Sequence, residues 1–357
     1  MFDPEFWRDR RVFVTGHTGF KGSWICLLLR HLGAEVTGYA LEPPTDPALF
    51  DLARVSNEVE HRTGDVRDLE TLEAELSAAK PEVVIHMAAQ SLVRYSYANP
   101  VETFSTNVLG TVHLLDAVRR IPSVRAVVIV TSDKCYFNAE WVWGYREQDQ
   151  LGGHDPYSGS KGAAELVVTA YRNSFFDPDR QSDSAAVASG RAGNVIGGGD
   201  WAVDRLVPDI MTSLLAGRPT LIRNPQATRP WQHVLEPLNG YLMLAERLFE
   251  HGHEFAGAWN FGPPAESEAT VGEVAHRLYD LWEAEFDWER DPDPGPPEST
   301  FLKLDASKAR TYLGWRPMLD LDSTLAWIVE WFQRYREGED AREACMTDIR
   351  RFMEMRS

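Results

Sequence analysis

Cysteine is scarce in this chain: Cys26, Cys135 and Cys345 are its only three, far apart and without metal-ligand spacing. That excludes a disulfide framework and a structural zinc site, and it suits a reducing compartment. Positive charge is short as well. Lys plus Arg number 36 against 54 Asp plus Glu, a net of -18, which argues against nonspecific binding to nucleic acid or anionic membranes. An anionic ligand then has to meet local basic groups. No apolar run approaches the roughly 20 residues of a membrane span. The opening stretch MFDPEFWRDRR has no apolar core of signal-peptide type. The expectation is a soluble, cytoplasmic protein. Internal repeats and low-complexity tracts are absent too.

What is present is an alternation of strands and helices. The 357 residues suit one large domain or two ordinary ones. Short apolar stretches at 11–15, 35–40, 83–86, 126–130 and 185–190 read as strands; 126–130 has the β-branched content of a strand buried on both faces of a parallel sheet. Another short strand precedes Gly64. Helices are predicted over 23–32, about 100–120, 157–176, 235–249 and 322–336, the last being the final strong helix. This predicts an α/β protein with a Rossmann-type, doubly wound parallel sheet and a smaller, mixed α/β lobe. The rhythm breaks after Arg191, and 258–261 reads as a strand returning to the first lobe. The units are therefore expected to be discontinuous: 1–195 with 231–263, and 196–230 with 264–357. Residues 177–184 form a polar loop and 289–299 a proline-rich one.

Gly16, Gly19 and Gly22 stand between the first strand and its helix, spaced G-x-x-G-x-x-G. Strand, glycine loop and helix in that order let backbone amides at a helix N-terminus approach a pyrophosphate, although a tight turn without ligand has the same look. A ribose-binding acid is expected about 20 residues further on, yet Tyr39 and Ala40 occupy that place. Glu42 is a substitute, and His17, Lys21 and Arg62 are candidates for a 2′-phosphate instead. Asp65 and Val66 follow the third strand and suit an adenine edge. Met87, Ala88, Ala89 and Gln90 follow the fourth, where small residues let a cofactor approach the backbone. Asn107 lies inside a helix, usually a solvated position; here it is expected to brace the strand end at Ser132.

The reactive groups gather at the end of strand 126–130. Thr131, Ser132, Asp133 and Lys134 sit at its carboxyl edge, where open α/β sheets hold ligands. Tyr157 and Lys161, four residues apart, share one helix face. An adjacent ammonium lowers a phenol's pKa, making Tyr157 a candidate proton acceptor. Tyr-x-x-x-Lys on its own is common by chance. Asp133 and Lys134 add an acid and a base, or else merely pair with each other. Arg205, Arg218, Arg223 and Arg229 cluster in sequence and suit a diphosphate, though any one alone is more often a surface charge.

Taken in this order, the loop, Asn107, Ser132 and the Tyr157/Lys161 pair resemble the extended short-chain dehydrogenase/reductases that act on nucleotide sugars, over nearly the whole chain. The strings GHTGFKGSW, HMAAQSLVR, TSDKCY, GYRE, GGHDPYSGSK, RAGNVIGGGDW and RPWQHVLEPL look like the CDP-glucose 4,6-dehydratase branch. The resemblance implies NAD along Gly16, His17, Gly19, Phe20 and Gly22. Asp65 and Val66 would lie near adenine, Ala88, Ala89, Gln90 and Thr131 beside the cofactor, and Asn107 behind Ser132, Tyr157 and Lys161. CDP-D-glucose would lie between the lobes, with Asn194, Arg205 and Arg229 at its diphosphate. A homodimer through helices 100–120 and 157–176 is implied as well, in line with apolar residues on more than one face of each (Val108, Leu114, Leu115; Ala163, Leu166, Val167). Two residues depart from the pattern, Phe137 after TSDKCY and Ser189 ahead of Arg191. A 4-epimerase or 4-ketoreductase would use Ser132, Tyr157 and Lys161 equally, and a cofactor-sensing regulator would need neither Tyr157 nor Lys161. The Asp133/Lys134 pair favours a dehydratase, with Asp133 as acid and Lys134 as base.

Overall fold

A computed structural model describes residues 1–179, 184–264, 267–285, 287–292 and 301–355. Its centre is a parallel sheet of seven strands: β1 (Arg11–Thr15), β2 (Glu35–Ala40), β3 (Glu60–Thr63), β4 (Val83–His86), β5 (Ala126–Val130), β6 (Ala186–Arg191) and β7 (Gly257–Asn260). The order across the sheet is β7-β6-β5-β4-β1-β2-β3. β1, β2, β4 and β5 have the bounds expected from sequence, and every residue of β5 is buried. Chain order reverses between β1 and β4, which pair directly from Val12↔Val83 to Thr15↔His86. A crevice opens at the carboxyl ends of strands at such a reversal.

Helices cover both faces. One core joins α1 (Phe20–His31) and α6 (Leu235–His251) to the sheet through Trp24, Leu28, Leu238 and Leu242. The other joins α2 (Leu69–Ala79), α3 (Gly110–Val118) and α4 (Pro156–Phe175) through Leu72, Leu76, Leu114 and Val168. The helix expected over about 100–120 is interrupted: Pro100–Phe104 runs through a π-helical turn, Ser105–Leu109, into α3. Beyond β6 lie α5 (Leu206–Leu215) and α7 (Val271–Trp282), with strand Thr228–Pro230 antiparallel to Glu268–Thr270. Of the loops read at 177–184 and 289–299, residues 180–183 and 293–299 lie outside the described residues, and Glu289–Arg290 is a short strand parallel to Leu221–Ile222 instead of loop. No helix among the described residues is long and apolar enough to cross a membrane.

The carboxyl end corrects one expectation. The helix α8 (Leu321–Arg336) is followed by another, α9 (Ala341–Glu354), capped by Asp340. Its charged residues disguise an apolar face: Ala344, Cys345, Ile349 and Phe352 are all buried, and the helix packs against α1. Trp331 Nε1 donates to Cys345 Sγ at 3.4 Å.

The amino terminus is stapled down by a buried carboxyl. Glu246 on α6 accepts from Asp3 N at 2.7 Å and Trp7 Nε1 at 2.6 Å. Burial, joined by the charges of Asp3 and Glu250 and opposed by those two hydrogen bonds, pushes its carboxyl up to about 8 from 4.5. The folded value exceeds the unfolded one, so the protonated group stabilises the fold at low pH and this contribution fades as pH climbs from about 4.5 to 8. Across that window the wild-type protein should lose more thermal stability than Glu246→Gln. Parallel melting curves for the two would contradict this.

Candidate active site

Space dictates the glycine loop. Gly16 has φ +75, and a Cβ there would lie 2.6 Å from Ala88 N; one on Gly22 would lie 2.1 Å from Gly16 O. The loop is thereby pressed onto the end of β4, and the chain turns directly into α1. Gly19 caps that helix with no side-chain hydrogen bond, which leaves its first amides for an anionic ligand. This cradle fits a dinucleotide pyrophosphate. Phe20 is half-buried at the first helical position.

Around the loop, His17 is buried and its Nε2 lies 2.7 Å from His61 Nδ1. Burial, then the neighbouring His61, lowers it to about 4, so it is neutral at pH 7. Arg62 is engaged by Glu60 and Glu75. Lys21 faces the charges of Lys161, Arg205, Asp133 and Asp200, and burial lowers its amine to about 7. None of these three offers an uncommitted cation at the end of β2. Asp65 is held by Arg67 through a bidentate pair, Nε to Oδ1 at 3.0 Å and Nη2 to Oδ2 at 2.6 Å, and Val66 O takes a hydrogen bond from His113 at 3.1 Å.

The strand end of β4 is fixed by groups that sequence reasoning missed. Thr15 Oγ accepts from Met87 N at 3.1 Å and Ala88 N at 3.2 Å, with His86 Nδ1 2.7 Å away. Ala88, Ala89 and Gln90 line up half-buried behind them. Asn107 lies within the π turn, and its side chain hydrogen-bonds to residues other than Ser132, the partner expected from sequence. Its Oδ1 accepts from Gln90 N at 2.8 Å, while Nδ2 donates to Gln90 O at 2.9 Å and Ser160 Oγ at 2.8 Å. It ties the β4 end to α4 instead. The π turn supplies the extra residue that aims it inward, a common use of such turns.

Ser132, Asp133, Tyr157 and Lys161 are all buried. Asp155 caps α4, and Ser96 Oγ takes a hydrogen bond from Tyr157 N at 3.1 Å, fixing the first turn. The Tyr157 phenol is not lowered as its spacing from Lys161 suggested: burial pushes it up to about 12, outweighing the hydrogen bond to Ser132 that acts the other way. Lys161 is brought down to about 8 by burial, with Glu165 opposing. Ser132 Oγ donates to Asp133 Oδ1 at 2.9 Å, and Asp133 Oδ2 is buried without a partner. Among the described residues Asp133 and Lys134 form no salt bridge. Lys134 lines a cavity of about 580 Å³ together with Tyr97, Tyr136, His154 and Ser158.

Directly behind lies an ion pair not foreseen. Glu165, one turn beyond Lys161, accepts from Thr131 Oγ, from Ser189 Oγ at 2.8 Å and from Arg191 Nη2 at 2.7 Å. Ser189, one of the departures, thus completes this network. Phe137, the other, is exposed and packs on His154 at 5.1 Å.

The basic residues beyond β6 are divided. Arg205 donates to Ser91 Oγ at 2.8 Å and to Asp200 at 3.3 Å. Asp204 pairs with Arg94 at 3.1 Å and Arg223 at 3.5 Å. These contacts join the segment after β4 to the segment that leads into α5. Arg218 is exposed, while Arg229 is buried with Nη1 on Thr228 O at 3.0 Å. Asn194 is half-buried with φ +46. No group of His, Cys, Asp and Glu among the described residues is arranged to hold a metal.

Comparison with known proteins agrees with this fold. The family model for GDP-mannose 4,6 dehydratase matches residues 13–327. CDP-glucose 4,6-dehydratase of Salmonella typhimurium is 53% identical over 341 residues, covering 95% of each chain. Among solved structures, the Thermus thermophilus UDP-glucose 4-epimerase complex with NAD is 26% identical with a TM-score of 0.77, covering 90% of this chain and 99% of that one. A Streptomyces venezuelae dTDP-glucose 4,6-dehydratase with NAD bound is 25% identical with a TM-score of 0.78, covering 92% and 98%. With most of its length matched in this way, the chain belongs to the GDP-mannose 4,6-dehydratase family of extended short-chain dehydrogenase/reductases.

Proposed function

We propose that this protein is an NAD-dependent CDP-glucose 4,6-dehydratase, converting CDP-D-glucose to CDP-4-keto-6-deoxy-D-glucose and water. The observation that carries the reading beyond the fold is the buried Asp133 carboxyl beside Ser132, with one oxygen unpartnered. Neither epimerisation nor ketoreduction at C4 needs such a group. NAD, held along Gly16, Gly19, Phe20 and Gly22 with Asp65, Val66, Ala88, Ala89, Gln90 and Thr131 beside it, supplies a recyclable acceptor that takes hydride from C4 and returns it at C6.

The chain's own residues do the rest. Tyr157 takes the proton of the 4-hydroxyl as a phenolate, a form that burial disfavours in the unliganded protein and that the Lys161 ammonium and the positive charge of a bound nicotinamide would favour, while Ser132 hydrogen-bonds the same oxygen. The C4 ketone makes the C5 hydrogen acidic. Lys134 removes it, and Asp133 protonates the departing C6 hydroxyl. Asn194, Arg205 and Arg229 serve the diphosphate, with the crevice between units 1–195/231–263 and 196–230/264–357 as the substrate site.

Incubation with a panel of nucleotide-activated glucoses tests this reading. A 4-keto-6-deoxy product should form from CDP-glucose, and protein stripped of cofactor should regain activity with NAD and not NADP. A C4 epimer as product, or rescue by NADP alone, would overturn it.

The proposed location is the cytoplasm, in keeping with three buried, unpaired thiols. A homodimer is proposed through the helices 100–118 and α4, which leave Val101 82%, Leu109 50% and Leu166 61% exposed. Apolar side chains grouped on neighbouring helices mark an interaction surface. Light scattering at micromolar concentration should give a dimer and Leu166→Glu a monomer; a monomeric wild type would refute the assignment.

A further inference from the structure

The Asp133 carboxyl is set in place by a missing side chain. A Cβ added to Gly193 would stand 1.9 Å from Asp133 Oδ2, 2.1 Å from Cγ and 2.6 Å from Oδ1. Real Cβ atoms essentially never come within 3.0 Å of a nonbonded heavy atom from elsewhere in the chain. The carboxyl therefore lies flat on the Gly193 backbone, and its three nearest approaches there leave room for hydrogen alone. On the other side, Ser132 Oγ holds Oδ1 at 2.9 Å. Oδ2 is buried and unpartnered, so packing against Gly193 together with the Ser132 bond at Oδ1 fixes where it points.

Gly193 is itself anchored. Gln232, buried at 2% exposure, donates through Nε2 to Gly193 O at 3.2 Å and to Phe261 O at 2.9 Å. Its backbone N donates to Asn194 O at 3.3 Å. The turn after β6 is thus pinned to the end of β7.

We infer that Gly193 is a positioning residue for Asp133, and that position 193 decides whether the oxidised sugar goes on to lose water. The inference rests on the reading of Asp133 as the acid of the elimination. A side chain at 193 has to displace the carboxyl by more than about 1 Å, a misplacement worth on the order of 100-fold in rate. Oxidation at C4 is spared, because the atoms nearest the added Cβ all belong to Asp133.

The test compares wild type, Gly193→Ala, Asp133→Ala, the double variant Asp133→Ala/Gly193→Ala and Asp133→Asn in single turnovers with CDP-glucose and NAD. Borodeuteride quenching counts the 4-ketohexose formed, and the 4-keto-6-deoxy product counts water lost. Gly193→Ala should oxidise C4 within about threefold of wild type and lose water about 100-fold more slowly. The double variant should match Asp133→Ala in both rates and in melting temperature, since the clash has gone. A Gly193→Ala protein that is poorly folded and regains its melting temperature in the double variant also supports the contact.

Wild-type water loss in Gly193→Ala overturns the inference. So does oxidation falling in step with water loss, or a double variant markedly worse than Asp133→Ala. If Asp133→Asn stalls while Gly193→Ala does not, the inference alone fails. If Asp133→Asn loses water normally, the reading of Asp133 fails with it.

Discussion

Asp133→Asn should oxidise CDP-glucose at C4 and then stall. The amide keeps the shape of the side chain and its contact with Ser132, so the oxidising set of Tyr157, Ser132 and Lys161 stays intact. What is lost is the proton for the departing C6 hydroxyl. Removing a general acid or base typically costs about 100- to 10,000-fold, enough for the 4-ketohexose complex to accumulate and for nicotinamide absorbance to report it. Lys134→Ala should in addition slow the entry of solvent deuterium at C5. Tyr157→Phe should form no 4-ketone at all. If Asp133→Asn and Lys134→Ala both lose water at the wild-type rate, the two residues have no part in the elimination.

The second large effect is on folding. Arg191→Leu leaves Glu165 charged and buried, with side-chain exposures of 3% and 1% in the intact pair. Despite burial, Arg191 and the hydroxyls of Thr131 and Ser189 hold the Glu165 carboxyl below its ordinary range. Removing one partner of such a pair costs about 3–5 kcal/mol, a fall in melting temperature on the order of 10 °C. The exposed pair Arg277–Asp322, at 43% and 80% exposure, is the internal control: Arg277→Ala should cost under about 1 kcal/mol. Equal losses from both substitutions would show that the buried pair contributes nothing special. Because Thr131 and Lys161 adjoin Glu165, the variant should lose activity as it loses stability.

The sheet was legible because burial on both faces leaves β-branched runs with no alternation, as in β1, β4 and β5. Helix α9 was hidden because its apolar face is threaded among Arg, Glu and Asp, so composition masks spacing. Within the site, residues joined by the chain itself could be read: Ser132 with Asp133, and Tyr157 with Lys161. Glu165 continues that same four-residue spacing and was within reach of the argument. The partners of Asn107, the contact between Gly193 and Asp133, and the brace from Gln232 join segments far apart in sequence. Only the folded chain brings those together. The phenol shift was misjudged for a related reason: spacing reveals a neighbouring charge but not the loss of water around it, and here burial wins.

In one turnover the sugar should lose and regain the same hydrogen while water departs across C5 and C6. CDP-glucose carrying deuterium at C4, turned over in ordinary water with unlabelled NAD, tests it most directly. The product should be CDP-4-keto-6-deoxyglucose with the deuterium at C6 and a solvent proton at C5, with no net consumption of NAD. Deuterium returned to C4, or lost to the cofactor pool with stoichiometric reduction of NAD, would contradict it.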